Sequence, residues 1–243
     1  IKYMIRLFII LLVFALANNT KANSSRPNII LIMCDDLGWG DVGFNGNKII
    51  KTPNLDSMAN SGIKFDRFYA AAPVCSPTRG SVLTGRHPFR YGIYYANTGH
   101  MKKKELTIAE IMKTKGYRTG HFGKWHLGTL TTKIKDANRG GPKGAKHYSP
   151  PQQNGFDICF STESKVPTWD PMLVPRKFSN GSSRRKWWNP VTGPKNAEHY
   201  GTHYWDQNGK AVTENLTGSN SRIIMDRAIP FMKSSLKSKS PFF

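Results

Sequence analysis

The sequence predicts an α/β sandwich with a mostly parallel central sheet flanked by helices, and three observations carry that prediction. Residues 28–34, Asn-Ile-Ile-Leu-Ile-Met-Cys, form a continuous apolar, β-branched run, the pattern of a strand buried on both faces. Helical stretches with start and stop signals follow it. Residues 117–122 then return as a strand, so strands and helices alternate along the first half of the chain.

The elements follow in order. The strand at 28–34 stops abruptly at Asp35-Asp36-Leu37-Gly38. Thr52-Pro53, then Leu55, Met58 and Ala59, predict a short helix stopped at Gly62. Residues 63–70 resemble another strand. Residues 77–83 predict a helix that opens near Pro77 and closes at Gly85. Residues 106–115 predict a helix with Leu106, Ala109, Ile111 and Met112 on one face and Gly116 as its cap. The strand at 117–122 runs out at Gly123-Lys124-Trp125-His126. Residues 129–220 are rich in Gly, Pro, Asn, Lys and aromatics with weak periodicity, and are expected to be long surface insertions. Residues 221–234 return to a helical pattern, with Pro230 a site for a kink. Pro241-Phe242-Phe243 begins another strand.

Composition narrows the function classes. The 243 residues suffice for one domain with a substantial core, and 38% hydrophobic residues argue against disorder. Lys and Arg number 36 against 15 Asp and Glu, a formal charge of +21. A field of that sign attracts polyanions. Runs such as Lys102-Lys103-Lys104 and Arg184-Arg185-Lys186 also read as solvated loops. No zinc-finger cysteine pattern or RNA-binding aromatic motif accompanies the charge, so nucleic acid is not an expected partner. Lys2 and Arg6, an apolar run at 7–16 and Ala15-Leu16-Ala17 make a secretory signal over residues 1–22. The run falls short of the ~20 residues needed to cross a bilayer. The expected location is therefore periplasmic or secreted, or the lysosomal or secretory pathway in a eukaryotic cell. Three cysteines make no disulfide framework, and each needs its own account.

Two constellations carry chemistry. Asp35-Asp36 sits where a strand ends, the edge at which open α/β sheets bind ligands. Adjacent carboxylates there suit a hard divalent cation, although a plain turn needs no more than one of them. Cys75-Ser76-Pro77-Thr78-Arg79-Gly80 places a cysteine just before a helix, where backbone donors and the dipole favour anions. Arg79, a turn later, adds a permanent charge.

The pattern Cys75-x-Pro77-x-Arg79-Gly80 resembles the signature of the type I, formylglycine-dependent sulfatases. Asp35-Asp36-Leu37-Gly38-Trp39-Gly40-Asp41, Thr84-Gly85-Arg86-His87-Pro88 and Gly123-Lys124-Trp125-His126-Leu127-Gly128 resemble further segments of that family, in its order. The resemblance runs from Pro27 to Gly128 and implies an alkaline-phosphatase-like sandwich over residues 23–243, incomplete at its C-terminal side. It implies that Cys75 is converted to Cα-formylglycine by a maturation enzyme. The hydrate of that aldehyde would attack the sulfur of a sulfated carbohydrate or other sulfate monoester. By the same resemblance, Asp35, Asp36 and residue 75 would bind Ca²⁺ or Mg²⁺, and Arg79 would hold residue 75. Lys124 would contact sulfate, and His126 would orient or deprotonate the hydrate, a task the ordinary histidine pKa suits. Lys124 and His126, two apart, would share a strand face. A substrate-contacting His, an Asp-Asn metal pair and a Lys would fall beyond Phe243, and residues 1–243 alone are expected to hydrolyse sulfate esters poorly. Two other readings stand beside this one: a phosphonate or phosphate ester hydrolase on the same scaffold, and an inactive exported polyanion binder.

Peptide mass spectrometry of protein made with a formylglycine-generating enzyme is expected to find the aldehyde at position 75. An intact thiol there would remove the basis of the catalytic reading.

Overall fold

The computed structural model describes residues 26–179, 181–184 and 194–243. The signal segment 1–22, Asn180, Arg185, Lys186, Trp187 and Trp188 lie outside the described residues. Among the described residues no helix is long and apolar enough to cross a membrane.

Among the described residues, five α-helices and six strands form the frame. The helices are α1 (Pro53–Ser61), α2 (Cys75–Thr84), the single turn α3 (Pro88–Tyr91), α4 (Ile108–Thr114) and α5 (Asn220–Lys237). The strands are β1 (Gly120–Lys124), β2 (Ile158–Thr162), β3 (Leu173–Pro175), β4 (Ala197–His199), β5 (Tyr204–Asp206) and β6 (Ala211–Val212). The main sheet has the order β1-β2-β5-β6. β1 and β2 are parallel, with Phe122 opposite Phe160, and the β5 and β6 edge is antiparallel. Residues 241–243 extend the sheet on the other side. Arg118 donates to the Pro241 carbonyl at 2.9 Å, Phe243 to that of Arg118 at 2.9 Å, and Gly120 to that of Phe243 at 2.9 Å. Residues 241–243 run parallel to the segment leading into β1 through the Arg118–Phe242 pair.

Side chains alternate across this sheet, as a period of two requires. Cys159 and Trp205 face a core with Leu83, Tyr91, Ile93, Met101, Ala109, Trp125 and Phe156, beneath α2 and α4. Phe160 and Tyr204 face the other way, toward Ile223 of α5, and their rings stack at 3.9 Å. Gly120 admits this second layer: a Cβ there would lie 3.0 Å from the Phe231 ring of α5. The two covered faces make the expected sandwich.

Several expectations need correction. Residues 27–34 do not form a strand buried on both faces. They are tied to the sheet by Ile29 N–H donating to the Phe242 carbonyl at 2.8 Å, and Ile30 and Ile32 are 62% and 68% exposed. A continuous apolar run needs covered faces to bury: Ile29 packs against the core, but no described element covers Ile30, Leu31 and Ile32. Residues 63–70 form no strand either, and Ile63, Phe65, Phe68 and Tyr69 are exposed. The stretch 129–220 is more than surface insertion, because it supplies β2 and β5 at the sheet centre. Their three to five residues are too short for a periodicity to register. In α4 the inward face is Ile108, Ala109 and Met112, while Leu106 and Ile111 are exposed. Thr107 and Glu110 start that helix with reciprocal caps, which fixes its rotation. α5 runs through Pro230 as one helix.

The loop carrying Thr84 to Pro88 has structural tasks. Gly85, with φ of 64°, caps α2 in a left-handed conformation. Arg86 pairs with the buried Glu105, and the His87 ring accepts from Phe89 N–H to start α3.

Tyr91 of α3 is 1% exposed, donates to the Pro77 carbonyl and lies 2.9 Å from Ser81 Oγ. It presses α2 from the side, so a Cβ at Gly80 would sit 2.7 Å from its ring. Gly80→Ala is therefore expected to destabilise the fold by about 1–3 kcal/mol, as overpacking does. Thermal denaturation checks this, and an unchanged Tm would show that the α2–α3 contact is slack.

Candidate active site

Three segment ends converge. Asp35 closes the 27–34 segment, Lys124 is the last residue of β1, and Cys75 is the first residue of α2. The helix begins at Cys75 because Val74 is extended and Pro77, in the first turn, needs no intrahelical N–H partner. Thr78 fixes the approach: its hydroxyl donates to the Ala72 carbonyl at 2.6 Å and accepts from Ala72 N–H at 3.1 Å. Arg79 then projects one turn after Cys75.

Asp35 binds both cations. Arg79 Nη2 donates to Asp35 Oδ1 at 2.7 Å, and Lys124 Nζ lies 3.0 Å from Oδ2 and 3.1 Å from Oδ1. Arg79 Nη1 also donates to the Lys124 carbonyl at 2.7 Å, so helix and strand end hold one another. Partial burial works to raise the Asp35 pKa, but hydrogen bonds and charge from Lys124 and Arg79 outweigh it and hold the carboxyl below its usual range. Two cations to one anion leave the cluster net positive. Arg79 Nε and Ser76 Oγ are buried with no hydrogen-bond partner. Unspent donors beside a helix start and two cations make a place for an anion.

His126 comes within electrostatic reach of this cluster, but not as a strand neighbour of Lys124. β1 ends at Lys124, and His126 takes φ of 57°, a left-handed turn that carries the ring off the strand. The ring is 3% exposed, and its Nε2 lies 2.7 Å from Asn97 Oδ1. Burial, then the charges of Lys124, Arg139 and Arg79, push its pKa down to about 3. The expectation of an ordinary histidine pKa is thereby corrected: His126 is neutral at physiological pH. His121, one turn of strand earlier, is lowered to about 3 by burial and the Arg79 charge, and its Nδ1 pairs with Ser161 Oγ at 2.7 Å.

The structure thus joins Asp35, Arg79 and Lys124 in one cluster, with His126 within its electrostatic reach and Cys75 one helical turn before Arg79. Asp36 stands apart, exposed and left-handed with φ of 57°. The three cysteines are free. Cys159 is buried, and burial with the nearby Asp157 and Asp206 charges pushes its thiol up to about 12, so it is inert. Trp205 donates to the buried Asp136 at 2.9 Å and packs the core.

For a metal, Asp35 supplies a carboxylate already paired with Arg79 and Lys124, and Asp36 an exposed one that stands apart; both are the oxygen donors a hard cation takes, two toward the six to eight that Ca²⁺ needs. Among the described residues, no three His, Cys, Asp or Glu side chains gather as a metal site. Asn97 and Asn138 escaped the sequence reading. Ala-Asn-Thr-Gly at 96–99 signals a turn, and that turn is what aims Asn97, with φ of 64°, at His126.

A family model described as Sulfatase matches residues 27–243. Arylsulfatase D of Homo sapiens is 41% identical over 149 residues, which cover 57% of this chain and 23% of that protein. The chain thus spans only a fraction of the length of its curated relatives. The solved structure of Ps i-CgsB in complex with k-i-k-neocarrahexaose aligns with a TM-score of 0.65 and 32% identity, covering 89% of this chain and 43% of that one. BT4656 in complex with its substrate D-glucosamine-2-N,6-O-disulfate aligns with a TM-score of 0.62 and 26% identity, covering 89% of this chain and 33% of that one.

The two depressed histidines make stability pH-dependent. Each takes up its proton near 6.5 when unfolded and near 3 when folded. Their full contribution is present above pH 6.5 and is lost as pH falls toward 3. His126→Gln and His121→Asn are each expected to flatten the decline by up to about 1.4 kcal/mol per pH unit within that window. Denaturant unfolding at pH 7, 5.5 and 4 checks it, and parallel profiles for variants and parent would refute it.

Proposed function

The chain belongs to the sulfatase family, and from that premise we propose that it hydrolyses sulfate esters with residue 75, matured to formylglycine, as the nucleophile. The observation that carries the reading is the Asp35–Arg79–Lys124 cluster at the start of the helix bearing Cys75.

A sulfate monoester is an anion whose charge is spread over oxygens bound to sulfur. Its hydrolysis needs those oxygens neutralised, a nucleophile in line with sulfur, and a proton for the departing alcohol. Arg79 and Lys124 supply fixed positive charge, and Asp35 holds both in one orientation. Arg79 Nε and Ser76 Oγ remain as donors for the ester. The hydrated aldehyde supplies two hydroxyls on one carbon, one to attack sulfur and one to expel sulfate afterwards. A thiol at position 75 lacks the second hydroxyl and cannot complete the cycle. Neutral His126 accepts a hydrogen bond and positions a hydroxyl without needing to store a full proton. Ca²⁺ or Mg²⁺ held by Asp35 and Asp36 would offset the charge of the sulfate oxygens.

A sulfated carbohydrate is the proposed substrate class. The sulfated glucosamine that BT4656 takes as substrate supports this, and so does the +21 charge of this chain. The proposal includes a formylglycine-generating partner and export from the cytoplasm.

The test uses the intact protein, matured and supplied with Ca²⁺ or Mg²⁺, on an aryl sulfate and a phosphonate monoester. Turnover of the sulfate is expected, abolished by Cys75→Ala and lowered roughly 10²- to 10³-fold by Lys124→Ala. Asp35→Ala and Asp36→Ala are expected to lower bound metal, read by elemental analysis. Preference for the phosphonate would replace this reading with the ester hydrolase of the other acid.

A further inference from the structure

His126 has two ring nitrogens with different surroundings. Nε2 faces Asn97 Oδ1 at 2.7 Å, whereas Nδ1 is buried with no hydrogen-bond partner. A neutral imidazole carries one N–H, and which nitrogen carries it decides what the ring can do.

The answer depends on two amides. Asn138 Nδ2 lies 3.1 Å from Asn97 Oδ1 and 3.1 Å from Ser164 Oγ. With both hydrogens of Asn138 so used, Asn97 Oδ1 accepts from Asn138 and must also accept from the imidazole. The proton therefore sits on Nε2. Turning both amides over would reverse the ring and place an N–H on Nδ1. That N–H would be a buried donor without an acceptor, among the positive charges of Lys124, Arg139 and Arg79. Orphaned buried donors are rarer than under-used acceptors, and a lone pair is the better occupant of a positive field.

Resting on the reading above, we propose that Asn97 and Asn138 are positioning residues. They hold His126 as the Nε2–H tautomer and leave Nδ1 as a bare acceptor for the hydroxyl that residue 75 carries after maturation. Neither asparagine touches the reacting atoms; both act through His126.

Replacements at 97 and 138 separate this role from simple packing. Asn138→Leu removes the donor, so Asn97 can turn and offer its own N–H to Nε2. Asp at 97 can only accept, and it suits the left-handed backbone. The double variant Asn97→Asp, Asn138→Leu should therefore restore what Asn138→Leu loses. The measurement is ¹⁵N NMR of histidine-labelled intact protein, with His126→Gln identifying the signal, alongside kcat and KM of the matured protein on an aryl sulfate. The parent is expected to show protonated Nε2 and bare Nδ1. Asn138→Leu is expected to raise the Nδ1–H population several-fold and lower kcat roughly tenfold, with KM within about twofold. The double variant is expected to return to the parent tautomer and recover most of kcat. An Nδ1–H signal in the parent overturns the proposal. So does a tautomer unchanged by Asn138→Leu, or a kcat loss that Asn97→Asp fails to rescue. The lock seen by NMR in a matured protein that turns over no sulfate ester would overturn the reading of function and leave the tautomer assignment standing.

Discussion

The site depends on one carboxylate held between two cations. Asp35 draws Arg79 from α2 and Lys124 from the end of β1 to a common point. Without it, two positive side chains would repel one another across the site, and the segment 27–34 would be held only near its start, by Asn28 and Ile29. The pairing is only partly sheltered, with 37% of the Asp35 side chain exposed, so solvent weakens it. Its value lies in placement. The bond from Arg79 to the Lys124 carbonyl makes helix and strand a single unit that Asp35 can orient. Tyr91 against Gly80 then fixes the helix from its far side.

The histidines show how the same cations reach beyond the cluster. A lone histidine in water is a proton carrier near neutral pH. Buried within reach of the Arg79 and Lys124 charges, His126 is neutral near pH 7, and which nitrogen is bare decides what its ring can accept. The charge of the Asp35 cluster thus also sets the protonation of the neighbouring ring.

Much of this was legible in the sequence, for a physical reason. α2 announces itself with Cys75, Pro77 and Gly85, because helix ends demand particular residues. α4 does so with Thr107 and Glu110, and α5 through its spaced apolar residues. Asp35, Arg79 and Lys124 were singled out by motif and touch one another, while His126, singled out with them, bonds Asn97 and feels their charge. What stayed hidden depends on long-range packing. β2 and β5 are strands because neighbours in the sheet hold them there, and their sequences carry too few residues to show it. Residues 28–34 erred the other way: their apolar run is genuine, but burial is a property of what covers a segment. Asn97 and Asn138 sit in turns, where a side chain's target is set by a fold the local sequence does not contain.

The tie between residue 28 and residue 242 has a consequence for how the molecule forms. The Asn28 side chain accepts from Phe242 N–H at 3.2 Å across a separation of 214 positions, and Asp35 meets Lys124 across 89. Contacts so distant along the chain are entropically costly to close and arrive late. The helix of residue 75 and the cap of α4, by contrast, are local. The order this implies is a scaffold first and a functional centre last. A ribosome releases the segment 27–34 early, and its ties to the sheet edge must wait until residue 242 emerges. The interval, and not the finished fold, is when its exposed isoleucines are most open to wrong partners.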